Sequence, residues 1–154
     1  MVTEEALGGH DVSRVAQLHG DEPVTVHLLV PADTKHNALI EALDEVALGR
    51  LRDALDDSDD ASPAQAEQDA MHAVNASIEA LRAAGIEARG SVTGDNPVPA
   101  AIEAAKTYDV DEIIVVTPPH LIEEMLHRDW ASRLRDKVKV PLLHFVAGTD
   151  RVVG

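Results

Sequence analysis

The stretch "DEIIVV", residues 111–116, restricts the fold more than any other part of the chain. Ile113, Ile114, Val115 and Val116 are consecutive and β-branched, so a strand built from them is apolar on both faces. Such a strand belongs inside a sheet covered on both sides, which is the situation of a parallel sheet flanked by helices. Other runs supply partner strands. In "VTVHLLVPA", residues 24–32, Val24, Val26, Leu28 and Val30 share one face, Leu29 breaks the alternation and Pro31 stops the run. "IEARGSVTGD" is a weaker strand with Ile86, Ala88 and Val92 as its apolar positions. "VPLLHFV", residues 140–146, is the last strand.

Helical patterns lie between these runs. "HDVSRVAQLHG" reads as a short helix with Asp11 as its N-cap and Gly20 as its terminator. Residues 36–55 repeat Leu39, Leu43, Leu51 and Leu55 at helical spacing. The acidic run "DDSDDASP" is a solvated loop, after which Ser62 caps and Pro63 opens a helix ended by Gly85. That helix turns Ala66, Ala70, Val74, Ile78 and Leu81 inward. Pro97 opens the helix "PVPAAIEAAKTY", and Leu121, Met125, Trp130, Leu134 and Val138 form a further stripe. Strands that alternate with helices imply an α/β fold in one domain over residues 1–154: an open, doubly wound, mostly parallel sheet with helices on both faces, Rossmann-like in type. Its first strand is expected to be short or missing, because only "MVTEEAL" precedes the first helix. That strand matters, since it usually borders the switch point where ligands bind.

Composition limits the partners. A formal charge of −15, with four Lys against sixteen Asp, repels nucleic acids and anionic membranes. No cysteine is present, so thiolate metal sites and disulfides are excluded. Neither a signal peptide nor a membrane-length apolar run is visible, which reads as a cytoplasmic protein.

With that order established, "GDNPVPAAIEAAKTYDVDEIIVVTPP" and "VKVPLLHFV" carry a resemblance. Gly94-Asp95, Pro97, Ala101-Ile102, Ala105, Asp111, the strand and Pro141 fall in the order seen in the universal stress protein family and its relatives of the adenine-nucleotide alpha-hydrolase-like fold. The likeness is best over residues 86–146 and elsewhere is one of element order. The resemblance implies an ATP site with the pattern G-x2-G-x9-G-[ST] after the fourth strand. Here Thr117 and His120 stand near the first two glycine positions, and Arg128 and Asp129 near the last pair. Glycine is absent from residues 95–147. Pro118 and Pro119 bring no N–H, and Glu123 and Glu124 would repel a triphosphate. The family's early aspartate has only Glu4 or Glu5 near its place. ATP binding is therefore expected to be weak or absent, with no cofactor.

The candidate ligand contacts are Pro31, Gly94, Asp95, Thr117, His120 and Arg128. Each has a plainer reading. His120 reads first as a turn histidine at a helix start, and Thr117 as a residue that satisfies a local backbone group. Gly94 is expected at positive φ, with Asp95 or Asn96 capping the next helix. Glu123 and His127 have metal spacing but no third ligand, and read as an ion pair. No serine has a nucleophile-elbow context, so catalysis has little support. What remains is a binding or regulatory module of universal-stress-protein type, acting as a homodimer or with a protein partner. The alternative is a stress sensor that holds AMP or ATP through a non-standard loop. The homodimer would form along the last strand, residues Pro141, Leu142, Leu143, His144, Phe145 and Val146, which carries no charge to discourage edge pairing. A lysine at Leu143 is expected to weaken it.

Overall fold

The computed structural model describes residues 1–32, 63–119 and 130–153. The helix expected over residues 36–55, the acidic run, Ser62, His120, the Glu123–His127 pair and Arg128 lie outside the described residues. Five strands form one sheet: β1 (Val2–Thr3), β2 (Thr25–Pro31), β3 (Glu87–Thr93), β4 (Ile113–Thr117) and β5 (Leu142–Val146). Their spatial order is β3-β2-β1-β4-β5, and every pair is parallel. Four helices are described: α1 (Gly9–His19), α2 (Pro63–Ala83), α3 (Val98–Thr107) and α4 (Trp130–Lys137).

The two faces separate by strand parity, as a pleated sheet requires. On one face Leu28, Val30, Ile114, Val116 and Phe145 pack with Val12 and Val15 of α1 and Ala70, Val74 and Leu81 of α2. On the other, Val2, Leu29, Ile113 and Val115 pack with Val98 and Ala101 of α3 and Leu134 of α4. Leu28, Leu81 and Leu134 are wholly inaccessible. Burying each stabilises the fold by about 1.5–3 kcal/mol relative to leaving it exposed.

The first strand is the stub the sequence allowed, and it is central. Val2 pairs with Leu29 and with Val115, and Thr3 with Val116. The ladder continues into Met1, whose nitrogen donates to His27 O at 2.7 Å and whose oxygen accepts from Leu29 N at 2.9 Å. Two helix starts differ from expectation. α1 begins at Gly9 with Gly8 as its cap, and Asp11 sits in its first turn. α3 begins at Val98, with Pro97 in the cap position and Asn96 Oδ1 accepting the Val98 N–H at 3.1 Å. Gly94 does not take the positive φ expected of it; the glycines that do are Gly20, Gly85 and Gly148. The Asn96 bond and the fixed φ of Pro97 turn the chain after β3, so Gly94 has no reversal to make.

Candidate functional site

Chain connections leave β1 toward the α1–α2 face and β4 toward the α3–α4 face, so the switch point lies between these two strands. On the β1 side, the Thr3 hydroxyl donates to Glu5 O at 2.8 Å and folds the chain outward. Leu7 N–H then donates to Ser77 Oγ at 2.9 Å, which fastens the loop to α2. Ser77 is wholly buried on a helix whose inward positions are otherwise apolar. Its hydroxyl is the acceptor that this turn of loop needs.

Beside that loop lies a cavity of about 410 Å³, lined by Glu4, Glu5, Ala6, Pro31 and one side of α2. Alanines make the room: Ala66, Ala70, Ala73 and Ala76 replace the larger side chains that would fill the gap. Asp69 and His72 stand at the exposed rim. An apolar wall with Glu4, Glu5 and Asp69 around it favours a small neutral or cationic molecule and repels an anion.

The start of α1 is already supplied with negative charge. Asp11, 4% exposed, accepts the Gly8 N–H through Oδ2 at 3.1 Å and the Gly148 N–H through Oδ1 at 2.8 Å. A carboxylate in the first turn complements the helix dipole and takes donors that a phosphate oxygen would otherwise use. On the β4 side, Thr117 is buried and its hydroxyl is hydrogen-bonded to His144 Nε2 at 2.8 Å. Pro118 is also fully buried.

The candidate residues are therefore spread out. Pro31 lines the cavity. Gly94 and Asp95 follow β3, whose end is tied to that of β2 by Ala32 N donating to Thr93 O at 3.0 Å. Thr117 faces the interior on β4, two strands from Pro31 and three from Gly94 and Asp95. Along the last strand, Pro141 is exposed, Leu142 and Leu143 are half-buried, and His144, Phe145 and Val146 are buried. Leu143 packs toward the α1–α2 core, so a lysine there would disturb packing as well as any interface. Asp11 was read from the sequence only as the cap of α1, and Ser77 and the segment after β5 were not singled out. Asp11 had a signal, standing three residues after a glycine cap, but its second partner is 137 residues away.

A larger cavity, about 630 Å³, opens at the opposite end of the sheet. Its walls include two histidines whose surroundings shift them in opposite directions. His19 donates through Nδ1 to Val15 O at 2.9 Å and meets Glu112 through Nε2. The Val15 bond and then Glu112, with Glu22 adding, raise its pKa above the ordinary 6.5 against the cost of burial. His27 stacks on Tyr108 at 3.9 Å. Burial first, then Arg89 and the Met1 ammonium, lower its pKa below 6.5, with Glu87 opposing.

The signs give a prediction. Stability from His19 is fully present below 6.5 and is lost as pH rises through its raised value. For His27 the unfolded chain takes up the proton first, so stability falls as pH drops below 6.5 toward its lowered value. The histidine contributions together peak near pH 6.5. Urea unfolding across pH should show His19→Gln flattening the alkaline side and His27→Gln the acidic side. The same slope in all three proteins would remove both assignments.

Among the described residues, no three His, Cys, Asp or Glu side chains are grouped to hold a metal ion. No described helix is long and apolar enough to cross a membrane. Comparison of the chain with protein-family models, curated proteins and solved structures returned no match.

Proposed function

We infer that the chain is a binding or regulatory module of universal-stress-protein type that works by association, with a second copy of itself or with a protein partner, and that does not bind ATP. The fold is of the class that binds ligands at the carboxyl ends of its strands. The observation that carries the reading is Asp11, whose carboxylate occupies the α1 start and accepts from both Gly8 and Gly148. Glu4 and Glu5 add charge of the same sign at the end of β1. An incoming triphosphate would meet carboxylates at the point where nucleotide-binding α/β proteins present amide hydrogens.

Isothermal calorimetry with ATP, MgATP and AMP at moderate salt tests the reading. It predicts no saturable heat with either ATP species at millimolar concentration. A stoichiometric isotherm for ATP would contradict it. Saturation by AMP alone would favour the sensor, with the nucleotide held by contacts other than a phosphate cradle.

A further inference from the structure

We propose that residues 149–153 are a strap that competes with a second copy of this chain for the outer edge of β5; this rests on the inferred function by association. β5 is the edge strand of the sheet, with β4 on its inner side. Its outer side is not bare. Val146 N donates to Arg151 O at 3.1 Å, and Val153 N donates to His144 O at 2.8 Å. Between these two bonds Phe145 and Val152 form an antiparallel pair. The chain has doubled back after β5 and laid a short antiparallel ribbon on the strand it has just left.

The reversal is compact. Gly148 takes φ 68°, where a side chain would be strained. The Thr149 N–H and hydroxyl both donate to Val146 O, at 3.2 and 3.0 Å, and Arg151 N donates to Thr149 Oγ1 at 3.1 Å.

One helix holds the ribbon down. Arg14 Nη1 donates to Thr149 O at 2.7 Å and to Arg151 O at 3.3 Å, and the guanidinium lies 3.8 Å from the Phe145 ring centre. Asp11 accepts from Gly148, and His10 Nε2 lies 3.0 Å from Asp150 Oδ1. These contacts all come from the first turns of α1, so the strap is tied to the element that follows the central strand.

The edge thus accepts an antiparallel strand, and the strap uses only part of it. Its pairing spans His144 to Val146, leaving Leu142 and Leu143 outside. A second copy offers more. Outward backbone groups belong to His144 and Val146, while Pro141 O and Ala147 N turn inward to β4. A two-fold axis at His144 would set Leu142 against Val146 of the second copy and pair all five residues of each strand. No charged residue lies on β5 to oppose this. The strap and the second strand need the same His144 O and Val146 N, so they exclude each other.

The test keeps the full chain. Val153→Pro removes the N–H that bonds His144 O without touching the core. Arg14→Gln removes the guanidinium clamp. Sedimentation velocity over a concentration series should show a monomer for the parent. Self-association should tighten at least about ten-fold in Val153→Pro, and further in the double variant, as release of a competing state predicts. Hydrogen exchange at the Val146 amide of monomeric Val153→Pro should quicken at least about ten-fold. A parent that is already a β5-paired dimer overturns the strap and leaves association standing. Variants that stay monomeric while the Val146 amide exchanges faster make the segment an edge cover only, and overturn both the competition and self-association through β5.

Discussion

Valine in place of Gly90 is expected to cost the fold about 3 kcal/mol or more, and alanine about 1–2. Gly90 lies on β3 opposite Leu28 of β2. A Cβ built there would stand 3.0 Å from Leu28 O and 3.1 Å from both Leu28 Cβ and Val74 Cγ1. None of these atoms can give way cheaply: Leu28 is wholly buried, Val74 is 1% exposed, and the nearest contact is backbone. Gly90 is not among the positive-φ residues, so its glycine serves space and not backbone conformation. It lets α2 settle onto the β2–β3 pair. Alanine regains about 0.5–1 kcal/mol through lower unfolded-chain entropy, which is why its net cost is smaller. Valine adds two methyl groups to a Cβ that already stands too close to Leu28 and Val74. Against a total stability of about 5–15 kcal/mol, that loss leaves a marginal protein. Urea unfolding of both variants checks the order. An alanine variant as stable as the parent would mean that α2 can lift from the sheet without penalty.

Alanine at Asp11 is expected to cost about 1–3 kcal/mol, because two part-buried N–H groups lose a charged acceptor. The effect has two parts. Gly8 N–H loses its partner at the start of α1, and Gly148 N–H loses the partner that holds the turn after β5. Asparagine keeps the shape and one acceptor but turns an NH2 group toward the other donor, so it should fall between alanine and the parent. Urea unfolding measures the loss, and amide exchange at Gly8 and Gly148 locates it. A loss confined to Gly8 would make Asp11 a helix cap alone and separate it from the segment that follows β5.

The strands and the two helical faces were legible because each repeats a pattern. The run 113–116 announced burial on both sides, and Ala66, Ala70, Val74 and Leu81 announced the inner face of α2. β1 has only two residues, too few to carry a period, and its place comes from the partners Leu29, Val115 and Val116. Gly90 weakened the strand reading of its own segment, since glycine lowers strand propensity; its reason is the close approach of Leu28 and Val74, which local sequence does not encode. The candidate site was legible only in its electrostatic character. Acidic residues and paired prolines could be read directly, whereas Asp11 and Gly148 come together only when α1 and β5 dock. Thr117 read as a ligand contact past the strand end or as the partner of a local backbone group; the parity of β4 turns it inward to His144.

Native mass spectrometry of the purified chain with MgATP added in excess tests the exclusion of ATP most directly, because it reports bound mass and subunit number together. With carboxylates at the α1 start and the end of β1, the spectrum should show the mass of the bare polypeptide and no nucleotide adduct beyond that of a non-binding control protein. A single saturating ATP adduct on each chain, persisting under gentle activation, would contradict it.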